Sequence, residues 1–224
     1  MLTLKYKALT HTVTKWLLLC GLLAPFLLVA FLIVALLLTP GHDYISETIS
    51  QLGARDRPHP EVVNAGFVIS GLLILGFAIG IYLNLGRSMA ARIVGILIAI
   101  NGVGIILTGA FQADSNALGT SSTLEGNLHH IFAAIAYSTL LMGITVFAML
   151  VHRKPGWRGF TQFSLAVAII NLGLLLLYAM GVSKTIEGSL QLSFFGMSLA
   201  WVVAVSLQSL RANSAYTMNE FNPS

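Results

Sequence analysis

This sequence reads as an all-α protein, a polytopic transmembrane helical bundle of six helices with both termini cytoplasmic. Composition is the first reason. Of its 224 residues 56% are hydrophobic and only 9% are charged, against roughly 25% charged in ordinary soluble domains. A globule of this length cannot hide so much apolar surface from water, so the surplus must face lipid. Segmentation is the second: the apolar residues fall into six runs, each long enough for a hydrocarbon core of ~30 Å at 1.5 Å per residue. Charge placement is the third, and it sets the orientation.

The runs cover residues 16–38, 60–83, 89–111, 128–151, 159–181 and 189–210. Lipid offers no partner to a free N–H or C=O, so each run must be a helix. Helix 1 follows a basic segment, residues 1–15. It is expected to be retained, because its apolar stretch is too long for a signal peptide and ends Leu-Leu-Leu-Thr-Pro without a small-x-small site. Leu17-Leu18-Leu19 before Cys20 is not a lipobox. Thr39-Pro40-Gly41 stops helix 1, and Leu85-Gly86-Arg87 separates helices 2 and 3. Both of these helices are rich in glycine. Gly76-x-x-x-Gly80 is a small-residue contact pattern. Gly102-x-Gly104 lies mid-helix with no lysine after it, so it is no phosphate loop. Helix 4 is expected to begin near His129-His130 and to stop at Lys154-Pro155-Gly156. Helix 5 stops at Gly181-Val182-Ser183, and a polar tail, residues 211–224, follows helix 6. Trp16, Tyr82 and Trp157 stand near span ends, where interfacial aromatics belong. No internal repeat stands out.

Lys5, Lys7, Lys15, Arg87, Arg92, Arg153, Lys154, Arg158 and Arg211 fall on one side of the six spans; only Arg55, Arg57 and Lys184 fall on the other. The lysine- and arginine-rich side is cytoplasmic by the positive-inside rule, which suits a bacterial inner-membrane protein. All acidic residues except Glu220 lie on or at the opposite, outer side. The formal charge of +4 does not describe a nucleic-acid surface, since the basic residues come in twos and threes beside apolar runs. The single cysteine, Cys20, excludes an internal disulfide and a multi-cysteine zinc site.

Chemistry-bearing residues gather at one depth, the outer boundary. Loop 1 supplies His42, Asp43, Ser46, Glu47, Ser50, Gln51, Asp56 and His59, and Asn64 opens helix 2. Asp114 closes helix 3; Glu125 and Asn127 are expected to precede helix 4, and His129 to begin it. The 46–53 stretch suits an amphipathic helix or re-entrant turn. Tyr44, Thr48 and Gln51 would share one face, and Ile45, Ile49 and Leu52 the face resting on the bundle. Gly53 could stop that helix. Asn101 and Asn171 fall near mid-membrane, where two readings stand: a polar substrate or ion path, or interhelical hydrogen bonds worth about 0.6 kcal/mol each.

The elements Tyr44-Ile-Ser-Glu-Thr-Ile-Ser-Gln-Leu-Gly53, Asn64-Ala-Gly-Phe67 with Gly71, Gly109-Ala-Phe-Gln-Ala-Asp114, and a histidine opening helix 4 resemble the domain of unknown function 998 family. That resemblance extends over roughly residues 15 to 210 and implies a bacterial or archaeal polytopic membrane protein, without implying a reaction. Beside it stands the chemistry of the residues. A carboxylate such as Asp114 can orient an imidazole such as His129, which can then act as general base on water or on Ser50. Such a Ser/Asp/His set is similar to that of ceramidase-like transmembrane hydrolases. Those carry a late histidine pair for zinc, however, and no histidine here lies beyond His152. His129 and His130 are adjacent and diverge by about 100° on a helix, so no metal and no cofactor are expected.

Three functions compete. One is a lipid-directed membrane hydrolase or transferase using Ser50, Asp114 and His129, with Ser46 and Asn64 binding its lipid or lipid-linked substrate. Another is a small-solute carrier or channel using Asn101 and Asn171, weakened by the absence of charge inside the spans. The third is a structural or regulatory protein docking partners through loop 1. The partners expected are the lipid bilayer and, on the first reading, a lipid or lipid-linked substrate; no nucleic acid is expected, and oligomeric state is open.

Overall fold

The fold was obtained as a computed structural model, which describes residues 2–86, 88–115, 123–180 and 184–221. Six helices run in sequence order: α1 (Leu2–Leu38), α2 (Pro60–Asn84), α3 (Met89–Ala110), α4 (Leu124–Val151), α5 (Phe160–Ala179) and α6 (Glu187–Phe221). There is no strand among the described residues. All six are long and apolar enough to cross a membrane. The chain is thus an all-α, polytopic membrane protein. Arg87 and the expected break at Gly181-Val182-Ser183 lie outside the described residues.

Helix starts follow local chemistry. Pro60 opens α2, where its missing N–H costs nothing. The Ser88 hydroxyl accepts the Ala91 N–H at 3.2 Å and caps α3. Thr123 does the same for α4 through the Gly126 N–H at 3.0 Å. That cap moves the start of α4 to Leu124, so Glu125 and Asn127 lie in its first turn rather than before it. The segments expected as flanking tails also differ: α1 already begins at Leu2, and α6 continues to Phe221. Near these ends the Nδ1 of His11 stands 3.1 Å from the Oδ1 of Asn213, tying α1 to α6.

Each helix packs on its neighbours in sequence, and α6 returns to α1, so the six close a ring. Glycines set the tightest crossings. A Cβ on Gly80 would lie 2.9 Å from the Leu17 backbone and one on Gly76 3.1 Å from the Cys20 sulfur, so the expected Gly76–Gly80 pattern is the seam with α1. Towards α3, a Cβ on Gly71 would lie 2.6 Å from the Gly102 carbonyl.

The ring has two ends. One, the plug end, carries the 39–59 loop, the end of α3 at Ala110 and the starts of α4 at Leu124 and α6 at Glu187. The half away from it is a solid core around Leu18, Phe77, Ile144 and Phe147, with Trp201 fully buried. Phe147 meets Trp157 and Trp201 edge to face at 5.4 and 5.3 Å, contacts worth ~0.5–1.5 kcal/mol each beyond area. Trp157, expected as an interfacial aromatic, is buried in this cluster, whereas Trp16 is exposed. Outward faces carry large apolar side chains such as Leu37, Met149 and Ile169, as a lipid-solvated bundle requires.

Candidate functional site

Loop 1 folds inward over the plug end. A 3-10 helix, Ile49–Gly53, forms its centre, and all five residues are buried. The turn is built by local bonds. The Thr48 N–H donates to the Gln51 Oε1 at 2.6 Å, closing one face of a capping box. The Gln51 amide then reaches out, its Nε2 donating to the Ser115 carbonyl at 2.9 Å across the bundle. From the opposite side, the Gln191 Oε1 on α6 accepts the Ile49 N–H at 2.7 Å. The Ser189 N–H donates to the Ile45 carbonyl at 3.0 Å. Gly188 touches the backbone of Tyr44 and Glu47 so closely that a Cβ would overlap it. This is a plug rather than an amphipathic helix lying on a surface. Both expected faces are buried at Thr48, Ile49, Gln51 and Leu52, while Ile45, assigned to the bundle side, is exposed. Gly53 does not act as a left-handed stop. Its need is space, because the Asn64 amide sits against it.

An ionic lock holds the loop outside the plug. Arg57 pairs with Glu47, and Arg55 with Glu125 on α4. The His42 side chain is buried beside this lock, its Nδ1 2.9 Å from the Glu47 Oε2. Burial pushes the His42 imidazole below its usual range; the Glu47 charge acts the other way. Burial alone would raise the Glu47 carboxyl, but the Arg57 hydrogen bond and charge outweigh it, so Glu47 ionises below its usual range. Ser46 donates to the Asp43 carboxylate at 2.7 Å, and this bond holds Asp43 below its usual range.

Asp114 and His129 lie on one short stretch of structure but serve different atoms. The Asp114 carboxylate accepts the Thr123 N–H at 3.1 Å and the Thr123 hydroxyl at 2.8 Å. It therefore buttresses the residue that caps α4, at the helix end where negative charge is favoured. Gly126 passes against the carboxylate with no room for a Cβ. His129 is buried one turn further on, and its Nδ1 donates to the Thr108 carbonyl at 2.8 Å and to the Phe111 carbonyl at 2.9 Å. These carbonyls belong to the end of α3, where helices leave C=O groups without intrahelical partners. The Nδ1–H tautomer follows, with the lone pair on Nε2.

Behind the plug the ring is hollow. A cavity of about 450 Å³ is bordered by Ser50 and Ile49 of the plug, His129 and Tyr137 of α4, and Gln191 and Ser198 of α6, among others. Asn101 also borders it, and its Nδ2 donates to the Ala136 carbonyl at 2.9 Å. Ser50 is buried, its Oγ 3.2 Å from the Thr48 hydroxyl. Asn64 stands beside the plug, its Nδ2 donating to the Gly53 carbonyl at 3.0 Å. Asn171 is buried between α5 and α6 and donates to Ser198 at 3.2 Å. Of the residues singled out from sequence, Ser50, Asn101, Asn127, His129 and His130 border the cavity. Asp114 serves α4, Asn64 the plug and Asn171 the α5–α6 seam, and Ser46 belongs to the loop bonded to Asp43. No cluster of three or more metal-ligating side chains occurs among the described residues.

Sequence reasoning did not single out Gln191, Tyr137 or Ser198. Each sits in an apolar helix, and a polar residue in such a helix is the signal that would have found them. Tyr137 and Ser198 approach at 3.4 Å and so join α4 to α6 beside Asn171.

Six helices able to span a membrane, with a buried polar plug bordering a cavity between them, define a multi-pass membrane protein. The family described as "Protein of unknown function (DUF998)" matches residues 22–208, and the chain belongs to that family. No curated protein and no solved structure matches the chain.

Proposed function

We propose that this protein is a membrane hydrolase or transferase directed at a lipid or a lipid-linked group, working at the extracytoplasmic face of a bacterial inner membrane. The observation that carries the reading is that Ser50 and His129 border one cavity set among apolar helices. The orientation rests on the lysine and arginine bias of the loops, which sets the plug end outside and both termini inside.

The chemistry follows from the tautomer of His129. In a serine–histidine pair the imidazole needs its Nδ1–H held by an acceptor, so that Nε2 can take a proton. Here the end of α3 supplies that acceptor through the Thr108 and Phe111 carbonyls. The negative end of the α3 dipole, about half a charge, favours the imidazolium that forms. Ser50 Oγ would attack the ester or amide carbonyl while its proton passes to His129 Nε2. The imidazolium would then give that proton to the leaving alcohol or amine. Water, or an acceptor alcohol in a transferase, would release the acyl group from Ser50 by the reverse proton path. Asp114 is a positioning residue here, acting through Thr123 on the start of α4. The solid core beyond the cavity favours a pocket for a substrate over a path through the bundle.

The test is turnover of a bacterial lipid extract by the reconstituted protein, followed by mass spectrometry of the products. Ser50→Ala and His129→Gln should each abolish product formation while keeping the thermal transition of the parent. Full turnover by both variants overturns the enzyme reading.

A further inference from the structure

The chemistry of the cavity wall says more about the ligand than a lipid-directed site requires, and the inference drawn from it rests on that lipid-directed reading. No lysine, arginine, aspartate or glutamate borders the cavity among the described residues. The two arginines of loop 1 are already committed, Arg55 to Glu125 and Gln112, and Arg57 to Glu47. A phosphate or carboxylate taken into this space would lose its hydration and find no permanent counter-charge, only the imidazoles of His129 and His130, which costs far more than hydrogen bonds to neutral groups return.

The neutral polar groups offer both senses of hydrogen bond. Asn127 commits its Nδ2 to the Thr123 carbonyl at 3.0 Å, and Asn101 commits its own to Ala136. Each keeps an amide oxygen that accepts, beside its second N–H. Gln191 commits its Oε1 to the plug and is left with an Nε2 that donates. Ser50 and Tyr137 add hydroxyls of both senses. Such a set matches a head that offers both O–H donors and carbonyl or ether acceptors. The volume is about 450 Å³. That is the scale of one chain with a small head, not of a two-chain phospholipid.

The fold also offers a way in. The buried residues of α5 are Ser164, Val167, Ala168 and Asn171. From residue 172 to its end at Ala179 no residue of α5 is buried, yet Leu175 and Tyr178 border the cavity. This half of α5 is one helix thick between the cavity and the bilayer. Gly173 has no side chain or backbone of another helix within reach of a Cβ.

We infer that the cavity takes an uncharged, single-chain amphiphile with a hydroxylated or ester-bearing head, admitted from the bilayer past the plug-end half of α5. The experiment compares a monoacylglycerol with a lysophosphatidate of the same acyl chain on the reconstituted full chain. Occupancy is read by native mass spectrometry and by the shift in thermal transition. The monoacylglycerol should bind at least tenfold more tightly. Ala133→Phe, which fills the cavity, and Leu175→Trp on α5 should each reduce its occupancy at least tenfold; the second stands in should the first not fold. Asn127→Lys should improve lysophosphatidate binding at least tenfold by supplying the missing counter-charge. Equal or tighter binding of lysophosphatidate by the parent overturns the inference while leaving a lipid site intact. Monoacylglycerol binding that ignores both cavity variants overturns it as well. Binding of neither amphiphile removes the lipid-directed reading itself and the inference with it.

Discussion

Gly53 and Asn64 show how little slack the plug has. A methyl group on Gly53 would overlap the Asn64 amide, which is itself bonded to the Gly53 carbonyl. Gly53→Ala should cost about 1–3 kcal/mol, the usual scale for overpacking a tight site, seen as a lower thermal transition in detergent. Asp114→Ala should cost about 1 kcal/mol, the scale of a lost helix cap, and Asp114→Asn less, because an amide oxygen still accepts from Thr123. A catalytic dyad would predict the reverse emphasis, with activity falling far more than stability. Comparing the two losses in Asp114→Asn separates positioning from direct proton chemistry. From sequence, Asp114 and His129 could be placed at one depth, but not on different atoms. The deciding partners of His129 are backbone carbonyls, which leave no mark in the identity of the residues.

Loop 1 is the element in which acid should be felt first. His42 is held neutral by burial, so its contribution is complete above the ordinary histidine value of 6.5 and is lost as pH falls towards its lowered value in the fold. Glu47 has a depressed value, so its contribution is complete above 4.5 and is lost as pH falls through its lower value in the fold. The two losses have the same sign and follow one another. Amide-exchange protection of residues 42–57, corrected for intrinsic rates, should therefore drop between pH 7 and pH 5 while the α2–α3 seam keeps its protection. Unchanged protection of the loop at pH 5 would contradict this. The period of the 44–53 stretch pointed correctly to contact between Ile49, Leu52 and the bundle. It failed for Ile45, because amphipathic logic assumes a helix with one wet face, and a short turn packed between α2, α6 and the α3–α4 connection has none.

For the whole molecule the sequence was most readable where physics is simplest. Lipid forbids unpaired backbone, so span number and order came through; the Ser88 cap sits where helix 3 was expected to start, and the Thr123 cap moved the start of helix 4. Charge bias adds a prediction. Reporter fusions after residues 87 and 154 and at the C-terminus should read cytoplasmic, and fusions after residues 56, 121 and 184 external. A single reversal refutes that orientation. What no single-sequence reading reached is the closure of α6 on α1 and the hollow it leaves, since both depend on contacts between the two ends of the chain. One of those contacts also orders events in time. The Ile49 N–H waits for the side chain of Gln191, 142 positions later. At roughly 5–20 residues per second of synthesis, loop 1 stands without this partner for on the order of ten seconds, until α6 has been made. A chain cut short before α6 would insert its earlier spans and still never shut.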